Sequence, residues 1–193
     1  MTNKPRAEND VPSSGTDADK VVFLNNLDRS LRRRGPKVDV RDFANDLGVD
    51  ERVIRVAFPG GREEIVRQVI GNACDEFDEV VTLPMVSAPT RSDALREAAD
   101  GLAAYYEGGA RHCLFDLFSV PEETAHMHGI KATAQRFLDG LTEVFTKDGR
   151  SEEEAGAKAC RLFAELQGTL VLSRLTGDPH LFRAFTDSLA RTR

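Results

Sequence analysis

The sequence predicts an all-α protein with a small N-terminal three-helix domain followed by a larger helical domain. Apolar residues recur at intervals of three or four along most of the chain, which is the spacing of one helix face. Residues that commonly cap helices stand at the ends of these runs, and no hairpin pattern accompanies them. The apolar run CLFDLFSV (113–120) fits a strand by composition, but without a partner strand a short helix is the better interpretation.

The first sixty residues divide into a polar tail and three short helices. Residues 1–17 are rich in Asn, Asp, Ser and Pro, which predicts disorder. The first helix carries a leucine stripe and ends at Gly35. We expect Asp39 to cap the second helix, which stops at Gly48, and Asp50 to cap the third, which closes at the sequence FPGG.

Longer helices are expected in the rest of the chain. They cover about 62–82, 92–107, 121–147, 151–176 and the segment after TGDP. The segment PMVSAPTRSD is expected to break the first of these helices after about residue 82, and Ser92 is expected to cap the second.

Charge is unevenly distributed along the chain. The whole sequence has a net charge of −6, whereas residues 18–62 carry +3 and residues 63–193 carry −8. A small cationic domain attached to a larger acidic one is typical of a protein whose cationic domain binds nucleic acid, although chance clustering explains the charges equally well.

Cysteine usage and hydropathy indicate the compartment. The three cysteines lie far apart, form no CxxC pair and leave one thiol over in any disulfide scheme, which favours a reducing environment. The first twenty residues lack the apolar core of a signal peptide, and no apolar run is long enough to span a bilayer. We therefore expect a cytoplasmic protein with no membrane partner.

The segment VRDFANDLGV…VIRVAFPGGREEIVRQVI resembles the N-terminal domain of TetR-family transcriptional regulators. That family usually reads V-R-D-I-A, then G-V, a closing Phe and K-E-E-L; here VRDFA begins at Val40, Gly48 and Val49 follow, Phe58 closes the motif, and REEI begins at Arg62. The doubled glycine of FPGGREEI and the C-terminal LQGTLVLSRLTGDPHLFRAF are similar to the LmrA/YxaF-like subgroup. The resemblance spans about residues 18–190.

The resemblance implies a ligand-responsive, DNA-binding regulator. Residues 18–62 would form the helix-turn-helix DNA-binding domain, and residues 63–193 the ligand-binding and dimerisation domain. The expected form is a homodimeric repressor that a small apolar or amphipathic molecule releases from a double-stranded DNA operator, with activation left open. The implied DNA contacts are Lys37, Asp39, Arg41, Asp50, Glu51, Arg52, Arg55 and Arg62.

The DNA-facing positions depart from the family pattern. The usual Thr and Ser caps are Asp39 and Asp50, which stabilise helix N-termini but bring negative charge toward phosphates. The usual phosphate-binding Tyr is Arg55. Glu51 can accept from a cytosine amine, while Arg52 and Arg55, three apart on one face, can bind guanine or phosphate. The alternative is a TetR-like dimeric ligand-binding protein that no longer binds DNA.

The acidic body contains candidates for a ligand cavity and a dimer face. The cavity candidates mix aromatic bulk with a few polar groups, although about half of such residues are expected to be ordinary core. They are Tyr105, Tyr106, His112, Cys113, Phe118, Met127, Phe137, Phe163 and Gln167. The dimer face should come from the last two long helices. Its candidates are Gly168, Leu172, Leu175, Phe182, Phe185 and Leu189.

We expect no catalytic site, no metal and no cofactor. His126 and His128 are two positions apart and point in different directions on a helix, so they do not share a metal there. Adjacent His112 and Cys113 diverge in the same way and have no evident third group. An enzyme is therefore the poorer hypothesis.

Overall fold

The computed structural model describes residues 17–118, 127–147 and 149–192, and every regular element in these ranges is helical. The helices are α1 (Asp17–Arg34), α2 (Val40–Leu47), α3 (Glu51–Ala57), α4 (Gly61–Phe77), α5 (Leu83–Ser87), α6 (Arg91–Tyr105), α7 (Leu114–Leu117), α8 (Met127–Thr146), α9 (Glu152–Thr176) and α10 (His180–Arg191), with a π-helical segment (Asp78–Thr82) between α4 and α5. The predicted all-α fold class is confirmed. Except for Asp17, the predicted tail lies outside the described residues, as does the predicted helix start at Pro121.

The chain divides into two compact units, residues 1–72 and 73–193, and α4 supplies residues to both. The first unit contains α1, α2, α3 and most of α4. The second contains the remaining helices. The predicted domain boundary after residue 62, and the roles assigned to each domain, stay predictions.

Local chemistry sets the ends of α2 and α3. The Asp39 carboxylate accepts from the Asp42 amide at 2.8 Å, and the Asp42 carboxylate accepts from the Asp39 amide, which completes a capping box. Gly48 ends α2 in the left-handed conformation, with φ at 69°. Asp50 caps α3 by accepting from the Arg52 amide at 2.8 Å. The three predicted ends of these helices are confirmed.

A small apolar core holds α2 and α3 in a helix-turn-helix arrangement. Leu27 and Leu31 of α1, Phe43 of α2, Ile54 of α3 and Ile65 of α4 are all completely buried. Ile54 is the one fully buried residue of α3, so most of that short helix keeps its surface. This anchoring fixes which side of α3 points outward.

The second unit is built around α6. Its inward face, Ala94, Leu95, Ala98, Ala99 and Leu102, is buried as the sequence pattern predicts. α10 packs along α6, and α8 packs along α9. Phe137, Leu141, Leu166 and Phe182 complete the same core cluster.

Two predicted boundaries in this unit are wrong. The helix does not end at about residue 82 but continues through Pro84, because the π-helical segment changes the hydrogen-bond register before the proline. The Leu83 amide bonds to the Asp78 carbonyl, and Pro84 is the second residue of α5, where its missing amide costs little. The cap of α6 is Thr90 and not Ser92, since the Thr90 hydroxyl accepts from the Asp93 amide.

Candidate functional site

The outward side of α3 carries Arg52, Arg55 and Val56. Ile54 points into the core, and the three other side chains are exposed, with Val56 at 78%. Within the described part of the chain, no ion pair involves the Arg52 guanidinium. Val56 was not among the sequence candidates, although its position, two residues after Ile54 and two before Phe58, already placed it opposite the buried side.

Glu51 is paired with two arginines. Its Oε1 accepts from Arg55 Nε at 2.8 Å and from Arg55 Nη2 at 2.6 Å. Its Oε2 lies 3.7 Å from Arg41 Nε, which is on α2. The structure therefore brings three predicted DNA contacts, Arg41, Glu51 and Arg55, together in one ion-pair network that joins α2 to α3.

A second ion-pair network joins α1 to α2. Arg34 donates from Nε and Nη2 to the Asp46 carboxylate and from Nη1 to Asp42, and Arg33 Nη2 lies 2.5 Å from Asp46. Ser30 donates a further hydrogen bond to Asp46 at 2.6 Å. The hydrogen bond from Arg34, together with those from Ser30 and Arg33, holds the pKa of the Asp46 carboxyl well below its usual range.

Arg62 and Lys37 differ in what they contact. The Arg62 guanidinium donates to the backbone carbonyls of Val38 and Pro36 and pairs with Glu63. Its geometry therefore ties the start of α4 to the segment before α2. Lys37 is exposed, and within the described residues no partner binds its ammonium group.

Several of the predicted ligand residues meet in one aromatic cluster in the second unit. Phe77 makes edge-to-face contacts with Tyr105 and Phe137 at ring distances of 5.0 and 5.4 Å. Phe163 contacts Phe137 in the same way at 5.8 Å. The Tyr106 hydroxyl lies 3.5 Å from the Cys113 sulfur. Such contacts are typical of tight core packing.

A small cavity opens inside this cluster. It is lined by Ala73, Cys74, Phe77, Tyr105, Tyr106, Leu114, Phe115, Ile130 and Thr133, and its volume is about 10 Å³. That is room for about one water, whereas sites for drug-sized ligands have about 300–1,000 Å³. A ligand of that size therefore requires the cluster to open. Sequence reasoning missed Cys74 and Thr133, whose only signal was a polar side chain on an apolar helix face.

Gln167 has the clearest unmet polar group among the ligand candidates. Its Nε2 is buried and finds no acceptor among the described residues. One turn before it on α9, Phe163 contacts Phe115; two turns after it, Arg174 pairs with Asp116. Gln167 thus lies on the α9 face that packs against α7.

The remaining ligand candidates lie around the beginning and end of α7 and at the start of α8. His112 is half-buried just before α7, and Phe118 is fully buried at its C-terminal cap. Met127 begins α8, but its side chain lies outside the described residues. Among the described residues, no group of three potential ligands is arranged to hold a metal ion.

The dimer candidates separate into two sets. Leu172 and Leu175 of α9 are 50% and 74% exposed, and Gly168 is exposed one turn earlier. Phe182, Phe185 and Leu189 of α10 are instead packed into the core of their own chain, which leaves little of their surface for a partner, and their assignment to the dimer face stays a prediction. Apolar residues at helical spacing satisfy a core as well as an interface, which is why the sequence did not separate them.

Phe185 and Leu189 also line a surface groove of about 680 Å³, whose other lining residues include Phe145, Leu162 and several charged side chains of α9. Across the described ranges, no helix is both long and apolar enough to cross a membrane.

Comparison with known proteins identifies the fold. No protein-family model matches the sequence, and no curated protein does. Among solved structures, a TetR transcriptional regulator from Legionella pneumophila has a TM-score of 0.72 at 16% identity and covers 92% of this chain and 97% of its own. A TetR-family regulator from Agrobacterium tumefaciens has a TM-score of 0.71 at 19% identity and covers 91% and 97%. One from Streptomyces coelicolor has 0.69 at 18% and covers 89% and 94%. The chain therefore has the fold of the TetR-family transcriptional regulators.

Proposed function

We propose that the chain is a DNA-binding transcriptional regulator whose α3 enters the major groove of a double-stranded operator. The observation that carries this proposal is the outward face of α3, where Arg52 is unpaired among the described residues and Val56 is exposed one turn later. The similarity to solved TetR-family regulators supports it.

The chemistry of this face suits base reading. An unpaired arginine binds guanine through two hydrogen bonds, and an exposed valine makes apolar contact with the methyl group of thymine. Arg52 and Val56 are four residues apart, so both side chains leave the same side of α3. We assign them as the base-reading pair, with Lys37 and the arginines around α3 as backbone contacts.

Selection from a randomised DNA duplex tests this assignment, because the selection itself finds the preferred operator sequence. The wild-type chain should enrich sites that contain G and T close together. Arg52→Ala should lose the preference for G, at a cost of about 10- to 100-fold in affinity for the enriched site. Replacing the thymine by uracil should weaken wild-type binding but leave Val56→Ala unaffected.

Arg96→Ala is the matched control, because Arg96 is an exposed arginine of the second unit that pairs with Asp93. It should bind the enriched site like the wild type. If the selection enriches no site and the wild-type chain binds no duplex even at low salt, the proposal fails. The pairing of Arg41 and Arg55 with Glu51 would then favour the alternative, a dimeric ligand-binding protein with this fold that does not bind DNA.

Dimerisation and ligand response complete the proposal. A dimer fits the exposed Leu172 and Leu175 beside Gly168, and two copies of α3 would then reach half-sites about 34 Å apart or a multiple of that. The aromatic cluster around Phe77 would suit an apolar or amphipathic effector once the cluster opens, and the buried Gln167 amide has a hydrogen bond to offer such a molecule. Release of DNA requires the effector to prefer one of two conformations.

The finer similarity to the LmrA/YxaF-like subgroup belongs to the same proposal. It is supported by the FPGGREEI segment and the C-terminal LQGTLVLSRLTGDPHLFRAF segment. We propose repression as the mode of regulation. A reporter gene placed downstream of the selected site would test this, because its expression should rise when the regulator is deleted.

A further inference from the structure

One carboxylate on the face of the helix-turn-helix neutralises arginines from both of its helices. Glu51 Oε1 accepts from Arg55 at 2.6 and 2.8 Å, and Glu51 Oε2 lies 3.7 Å from Arg41 Nε. The Arg41 and Arg55 side chains are 78% and 60% exposed, so both remain accessible to another anion.

Such a network is easily rearranged. Solvent screens exposed ion pairs and leaves each of them weak, so a phosphate or a base edge can displace Glu51 from these arginines. While the pairs are closed, however, two guanidinium groups beside α3 share their charge with an acid. A phosphate that approaches them also meets the negative charge of Glu51.

We infer that Glu51 competes with DNA phosphates for Arg41 and Arg55, and that it thereby suppresses binding to non-cognate DNA. This inference rests on the proposed function. On a non-cognate duplex Glu51 keeps both arginines paired and repels the backbone. Where a cytosine amine faces α3, Glu51 accepts a hydrogen bond from that amine, and the two arginines turn to the phosphates. The acid therefore raises the specificity ratio by weakening the wrong complexes.

Glu51→Gln tests the inference, because it removes the charge and keeps the shape of the side chain. On a random duplex at low salt, the variant should bind about 10-fold more tightly than the wild type. The slope of log affinity against log salt should become steeper by up to about 2, since two more arginines would contact phosphates. On the enriched site the gain should be smaller, so the ratio of specific to non-specific affinity should fall.

Glu63→Gln is the matched control. It makes the same charge change in the same unit, but its partner Arg62 also donates to the Val38 and Pro36 carbonyls and is not released toward DNA. Its affinity and salt slope should stay near those of the wild type. In a double variant, Glu51→Gln with Arg55→Gln, only one released arginine remains to contact phosphate. The slope of log affinity against log salt should therefore be about one unit less steep than in Glu51→Gln alone.

The outcomes separate this inference from the proposed function. Wild-type binding to DNA with an unchanged salt slope in Glu51→Gln overturns the inference and leaves the function standing. Equal gains in Glu51→Gln and Glu63→Gln overturn it as well, since net charge alone would then explain them. Absence of DNA binding by the wild type and by both variants overturns the function and the inference together.

Discussion

A Cβ atom added to Gly101 would lie 2.1 Å from the carbonyl oxygen of Val80. Val80 belongs to the π-helical segment Asp78–Thr82, and the residue four positions later, Pro84, has no amide to donate to that carbonyl. The Val80 carbonyl oxygen lies against α6 at this residue, and only a glycine at 101 leaves room for it. The π-helical segment and α6 thus pack backbone against backbone at this point.

Gly101→Ala should lower the free energy of unfolding by about 3 kcal/mol, because the obstructing atom is backbone and cannot rotate away. Urea denaturation would measure the change. Gly156→Ala is the control: it is also a helical glycine of the second unit, a Cβ atom added to it would meet nothing within 4 Å, and the change should raise stability by up to about 1 kcal/mol. Equal effects of the two changes would contradict the close contact.

Gly101 also illustrates which parts of the fold the sequence predicts. The ends of α2 and α3 follow from Asp39, Gly48 and Asp50, whose effects act within three residues and are legible in the sequence. The continuation of the helix through Pro84 was not predictable from local sequence. It depends on a change of hydrogen-bond register in the π-helical segment, and on Gly101, a distant residue that leaves room for the Val80 carbonyl. Local rules predicted a break there.

The candidate site shows the same division. The resemblance to the TetR-family N-terminal domain predicted that Arg41, Glu51 and Arg55 share one DNA-binding face, since all three lie on its helix-turn-helix segment. That Glu51 pairs with both arginines depends on the packing of α2 against α3. Likewise, whether Phe182 faces its own core or a partner depends on where α10 lies against α6, which periodicity alone does not encode.

Asp46 should make the stability of the first unit depend on pH. Its pKa in the folded chain is lowered mainly by the hydrogen bond from Arg34, so the unfolded chain binds a proton at higher pH than the folded chain does. The stabilisation is therefore fully present above the unfolded pKa, about 4, and is lost as the pH falls through the lower folded pKa.

Thermal unfolding of the wild type and of Asp46→Asn across this pH range would check the sign. The variant should be less stable at neutral pH, and the difference between the two proteins should shrink as the solution is acidified below about pH 4. A difference that stays constant down to the lowest pH would show that the charge of Asp46 contributes nothing.

The three cysteines should react at very different rates. Cys160 is exposed on α9, whereas Cys74 and Cys113 are buried, and burial raises the pKa of the Cys74 thiol and keeps it protonated. In the folded protein a thiol reagent should modify Cys160 alone, and Cys160→Ser should abolish that reaction. All three thiols should react in denaturant. Rapid labelling of Cys74 in the folded variant would contradict its burial.

Gln167→Met should stabilise the protein by about 1 kcal/mol, because it removes a buried amide donor that has no acceptor among the described residues. Gln135→Met is the control, since the Gln135 amide is exposed and already donates to Asp139 at 2.8 Å. It should change stability little or lower it slightly. If Gln167→Met destabilises the chain instead, the Gln167 amide has a partner in solution that contributes to folding.

Leu175 and Leu172 should hold two copies of the chain together. Both side chains project from α9 with half or more of their surface exposed, and burying one leucine is worth about 1.5–3 kcal/mol. Leu172→Glu combined with Leu175→Glu should therefore reduce the sedimenting species to the mass of one chain, 21.3 kDa. Leu83→Glu is the control, because Leu83 is a comparably exposed leucine, at 55%, that lies on a different helix, α5. It should leave the dimer intact. If the dimer survives the double change but not Leu83→Glu, the interface lies on α5 instead. The affinity for DNA, measured on the same samples, should fall in whichever variant is monomeric.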